Sequence, residues 1–253
     1  MTMREAAAAT FRAPPSRRSW RVWIVLAAMG CIGLATMMLA PIEELLPPGI
    51  EVPRMVLLAQ PAVIVVALAA LGWWAAPKVG LDAPVLGGLV ERGDWAGPLR
   101  RAAWPALAGG AVCGLCIAGF GAATSDLLQG RAQAIELPLI TRIVYGGTVE
   151  EIVFRWSLLP LLALAITKLR VSRGTALWAA NGVTALVFAA GHVPGIMIVV
   201  SDAPAWLPGA VMVANTTVGL VCGWLFMRRG FEAAMAAHAL AHLVSVPLLL
   251  LVS

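Results

Sequence analysis

Charge is scarce in this chain. Only 12% of its 253 residues are Asp, Glu, Lys or Arg, while 60% are hydrophobic. Soluble domains carry roughly 25% charged residues, so this composition excludes an ordinary water-soluble domain and predicts an all-α polytopic integral membrane protein. The basic excess is small as well. A net charge of +5, lodged mostly in short loops, excludes nucleic acid as a partner. Cysteine is sparse: Cys31, Cys113, Cys116 and Cys222 all lie in apolar runs, which excludes a disulfide framework. Cys113 and Cys116 form a C-x-x-C with no nearby histidine or second pair, and they read as packing residues. A nucleophile beside its base is also missing. Ser157 has no histidine in sequence reach and Cys222 has no assignable partner, which argues against a covalent acyl-enzyme. There is no internal repeat, as an inverted-repeat transporter would have.

What is present is a series of apolar runs long enough to cross a bilayer. They are 20–40, 55–76, 102–120, 138–166, 175–200, 206–227 and 231–252. The fifth is interrupted by Gly191 and by Pro194-Gly195, and reads as one kinked helix or as a helix with a short re-entrant piece. The third is rich in glycine, which suits close helix packing. Residues 1–19 read as a basic disordered arm, 20–137 as N-terminal transmembrane helices and 138–252 as a helical-bundle core. Segment 77–101 reads as a polar, turn-rich loop, and Glu43, Glu44 and Glu51 as a solvated acidic loop. Basic residues fill the N-terminal arm and the 77–101, 168–173 and 228–229 segments, and are nearly absent from 41–53 and 193–205. Seven crossings with a cytoplasmic N-terminus satisfy that alternation. An eighth, hidden in 193–205, would flip the last helix and set Arg228-Arg229 against it. Trp20, Trp73, Trp74 and Trp206 read as interfacial belt residues.

Against this apolar background, Thr148–Arg155 (T-V-E-E-I-V-F-R) stands out. An ionisable group at bilayer depth costs about 3 kcal/mol on insertion scales, so it persists where it is paired, wet or functional. On a helix Glu151 and Arg155 are i,i+4 neighbours and can pair. Glu150 points about 100° away and is left available. The three histidines, His192, His238 and His242, all follow in apolar runs, with His238 and His242 on one helix face. At ~1.5 Å rise per residue from the cytoplasmic ends, Glu150 lies roughly 18–25 Å deep, His192 about 16–25, His242 about 16 and His238 about 10. These groups can therefore converge in the cytoplasmic half of the membrane.

Two chemistries suit such a set. In one, Glu150 takes a proton from water oriented by His192, while His238 with His242 stabilises an oxyanion, and no cofactor is needed. In the other, Glu150, His192, His238 and His242 hold a divalent metal that activates the water. Position 239 is alanine, so the H-E-x-x-H zinc helix is absent. A purely structural Glu150–Glu151–Arg155 triad is the plain alternative. Asn181 and Asn215 read as interhelical hydrogen-bonding groups.

Glu-Glu-x-x-x-Arg at 150–155, Phe-x-x-x-His at 188–192 and His-x-x-x-His at 238–242, in that order, resemble the CAAX-protease and bacteriocin-processing family of intramembrane glutamic endopeptidases. The resemblance spans about 140–247 and takes in Pro160, Gly219, Gly223 and Arg229-Gly230. It implies Glu150 as general base, His192 as its partner on water, Glu151, Arg155 and Phe188 in support, and His238 in an oxyanion pair. The family commonly has asparagine where this chain has His242; a neutral imidazole matches an amide donor in one tautomer only. The implied substrate is a membrane-embedded or membrane-anchored peptide or protein, and the implied location a bacterial plasma membrane. A non-catalytic immunity or scaffold protein of the same fold is the competing class.

Overall fold

A computed structural model describes residues 19–41, 52–128, 137–200 and 202–252. Residues 1–18 of the expected arm and the acidic residues Glu43, Glu44 and Glu51 lie outside the described residues. In chain order the helices are α1 (Trp20–Ala35), α2 (Arg54–Ala75), α3 (Pro84–Val90), α4 (Ala96–Leu128), α5 (Leu139–Tyr145), α6 (Leu159–Thr167), α7 (Arg173–Val199), α8 (Leu207–Arg229) and α9 (Phe231–Val252). Among the described residues six helical segments are long and apolar enough to cross a membrane, and the protein is a polytopic membrane protein. The expected fourth span is not among the six. It is a composite of α5, two π-helical segments at Gly146–Glu150 and Ile152–Leu158, and α6, joined end to end.

One expectation needs correcting, and one open reading is decided. The 77–101 segment is not all loop: Val85 is buried in α3, which starts on Pro84, a residue whose missing N–H costs nothing at a first helical position. α4 then begins at Ala96, its first turn held by Asp94 Oδ1, which accepts from Gly97 N at 2.8 Å. The fifth run, left open between two readings, is one helix to Val199 that accommodates Pro194.

Close approach of backbones governs the packing. Cβ atoms at Gly110 and Gly114 of α4 would lie 2.6 Å from Leu240 and 2.7 Å from Val244 of α9. Gly219 of α8 would meet Ala185 of α7 at 2.8 Å, and Gly223 would collide with the Asn181 amide. Without a hydrophobic force between helices in lipid, such small-residue seams carry the association. Around them, Ile64, Val112, Leu115, Val187 and Val213 are exposed, as side chains facing hydrocarbon are. Trp20, Trp74 and Trp206 are exposed near helix ends.

The composite segment is pinned to α2 by the wholly buried Trp156. Its indole donates to Ala69 O at 3.0 Å, and Ser157 Oγ donates to Leu68 O at 2.6 Å. Gly72 of α2 lies so close that a Cβ there would overlap the Trp156 indole and carbonyl. Gly72→Ala is therefore expected to destabilise the fold by about 1–3 kcal/mol, the cost of overpacking. Gly182→Ala, with open space around the new carbon, should be neutral or stabilising. Thermal unfolding of the two variants in detergent checks the contrast.

Candidate active site

The adjacent glutamates have different surroundings. Glu151 is fully buried: Oε1 lies 3.1 Å from Arg155 Nη1 and 2.8 Å from His238 Nδ1. The i,i+4 pairing read from the sequence is thus present. The Arg155 guanidinium also lies over the Phe188 ring, 4.4 Å from its centroid, which adds a cation–π contact between two buried side chains. Glu150 is partly exposed and faces a cavity. Its Oε2 is 3.5 Å from His238 Nε2 and its Oε1 is 4.0 Å from His192 Nε2. The π-helical turns on either side of Glu151 widen the coil, a distortion that often marks a functional site. At Gly146 a Cβ would lie 3.1 Å from His238 Nε2 and 3.0 Å from His242 Nε2, so both imidazoles close on backbone that only glycine leaves open.

Hydrogen-bond partners assign the tautomers. His192 Nδ1 lies 2.8 Å from Phe188 O; a carbonyl only accepts, so Nδ1 carries a proton, and in the neutral ring Nε2 turns a lone pair toward Glu150. His238 Nδ1 faces the Glu151 carboxylate and carries its proton in the same way. His238 Nε2 therefore donates only when the ring is an imidazolium. The His242 ring stacks on His238 with centroids 5.3 Å apart and 27° between planes.

All four residues read as catalytic, Glu150, His192, His238 and His242, line one cavity of about 290 Å³. Phe188 lines it too and contacts His192 and His238 edge-on, at 4.6 and 5.9 Å between centroids. Glu151 and Arg155 stand behind the wall. The rest of the lining is mainly apolar, including Ile117, Phe120, Leu137 and Val218. Arg142, Tyr145 and Asn215 also line the cavity and were not read as site residues. Arg142 lies in the same run as the glutamates, which is a usable signal; Tyr145 is the only tyrosine. Asn181 bridges helices as expected, Nδ2 donating to Leu220 O at 3.2 Å, but Asn215 donates within its own helix to Val211 O at 3.0 Å.

Among the described residues, Glu151, Cys222 and His238 form a group with metal-ligand atoms within 4.8 Å of one another. That set differs from the four alternative ligands named above, and Arg155 already supplies it with a positive charge that opposes a divalent cation. Cys113 and Cys222 are buried free thiols, while Cys116 Sγ contacts Ala214 O at 3.8 Å, in keeping with packing roles.

Breaking the buried pair leaves an uncompensated charge. Arg155→Met is expected to lower stability by about 3–5 kcal/mol, whereas Glu150→Gln, at the cavity wall, should change it by less than about 1 kcal/mol. Chemical or thermal unfolding in detergent measures both.

Residues 133–244 match a known protein family, the Rce1-like type II CAAX prenyl endopeptidases, a family of proteases, and the matched stretch contains every site residue from Arg142 to His242. No curated protein and no solved structure matches the chain.

Proposed function

With residues 133–244 belonging to the Rce1-like CAAX endopeptidase family, we propose that this chain hydrolyses a peptide bond of a membrane-embedded or membrane-anchored substrate by glutamate-activated water. The observation that carries the reading is the division of labour between the two acids. Glu151 is consumed by Arg155 and His238, and Glu150 faces the cavity. The 4.0 Å from Glu150 Oε1 to His192 Nε2 is too long for a direct hydrogen bond and suits one water between two acceptors. That water gives one proton to Glu150 as its oxygen attacks the peptide carbonyl. Nε2 of His242 in its Nε2–H tautomer, and of His238 as imidazolium, donate to the oxyanion. Collapse of the tetrahedral intermediate breaks the C–N bond, and the proton held by Glu150 passes to the leaving amine.

The composite segment counted as a crossing makes seven spans, and the distribution of basic residues supports a cytoplasmic N-terminus; a bacterial plasma membrane is the location we propose. The mainly apolar lining of the cavity fits a hydrophobic peptide.

The test is cleavage of a panel of quenched membrane-anchored peptides by the purified protein. Glu150→Gln is expected to lower kcat by about 10²–10⁴-fold, and His192→Ala to do likewise, with chelator sparing the wild type. Loss of wild-type activity with chelator would move the same residues into a metal site, and a Glu150→Gln variant as active as wild type would remove Glu150 as the base. The departure at position 242 generates its own expectation. His242→Asn keeps an N–H donor and should retain activity within about tenfold, while His242→Leu should lose about 10²–10³-fold in kcat with little change in KM.

A further inference from the structure

A second cavity, of about 210 Å³, opens where the connections between α2, α3, α4, α8 and α9 meet. Its lining includes Gly80, Asp82, Arg101, Arg228, Arg229 and Gly230. The charges are unbalanced: three arginines face one carboxylate, and Asp82 Oδ1 already accepts from Ala83 N at 2.7 Å. Among the described residues Arg101, Arg228 and Arg229 have no ion-pair or hydrogen-bond partner. Arg228 and Arg229 alone are explained by the C-terminus of α8, whose carbonyls favour cations. Arg101 is not, since it comes from α4 and lines the same hollow. The inner wall is apolar: Phe226, packed on Trp156 and Phe231 at 6.1 and 5.6 Å between centroids. The cavity also lies near the membrane surface. Gly80 follows the end of α2, where Trp74 is exposed and carries Lys78 Nζ 3.5 Å from its ring centroid.

A cationic rim over an apolar wall, at the level of the headgroups, is the chemistry of a phosphate on a lipid. We propose that this cavity binds the phosphate group of an anionic membrane lipid through Arg101, Arg228 and Arg229. Guanidinium groups take phosphate oxygens in bidentate pairs, and the cytoplasmic leaflet is the source of anionic lipid.

Native mass spectrometry of the purified full chain tests this, with phosphatidylglycerol, phosphatidylcholine and inorganic phosphate as probes. Phosphatidylglycerol should bind about tenfold or more tightly than phosphatidylcholine. The double variant Arg101→Gln, Arg228→Gln should weaken it about twenty-five-fold, at about fivefold per basic residue. Lys168→Gln with Arg170→Gln, on an exposed basic turn outside the cavity lining, should leave it unchanged. Equal binding by the first variant and wild type overturns the proposal. An equal loss in the second variant does too, because it reduces the effect to general surface charge. Inorganic phosphate that displaces the lipid at matched concentration assigns the site to soluble phosphate and overturns the lipid assignment.

Discussion

The Glu151–Arg155 ion pair, buried within an apolar helical segment, is the contact on which the site depends. Removing both charges from water is costly, and the cost is offset only where geometry and further polar contacts are supplied. Here His238 supplies one at 2.8 Å and the Phe188 face another at 4.4 Å. The pair therefore fixes more than itself. It sets the proton of His238 on Nδ1, orients Nε2 toward the cavity, and occupies the acid that would otherwise compete with Glu150. Two chemically identical neighbours in sequence thereby acquire different surroundings.

Such a network needs a rigid frame, and close backbone contacts provide it. Trp156 locks the π-helical stretch onto α2, and its neighbour Arg155 belongs to the ion pair. On the far side, the α4–α9 and α7–α8 seams bring His238 and His242 from one helix and His192 from another toward Glu150. Gly146 completes the fit, because any side chain there would meet both imidazoles. Phe188 spans the two layers, touching Arg155 behind the wall and His192 and His238 at it.

Much of this was legible in the sequence because apolar surroundings make polar residues conspicuous. Glu150, Glu151, Arg155 and the three histidines are rare types in long hydrophobic runs, and helical spacing alone distinguishes the paired acid from the open one. The boundaries of α9 follow directly from the hydrophobic run between Gly230 and the chain end. Other features leave no such mark. The π-helical turns depend on which carbonyl each N–H finds, and helical periodicity does not encode that choice. Asn215 and Asn181 look alike in sequence; only the packing of α7 on α8 makes one bridge helices and leaves the other at the cavity. Tyr145 is hidden by its type, since a tyrosine in an apolar helix is common. α3 was missed because seven residues are too few to show a period.

The central claim is that water, activated by Glu150, attacks the peptide carbonyl directly. Single-turnover cleavage in ¹⁸O-labelled water tests it, with the isotope then located by mass spectrometry in both product and protein. One ¹⁸O in the new product carboxylate and none in Glu150 is the predicted result. Label in the Glu150 carboxylate would show that its oxygen had been transferred to the product through an acyl-enzyme anhydride, and would contradict the account.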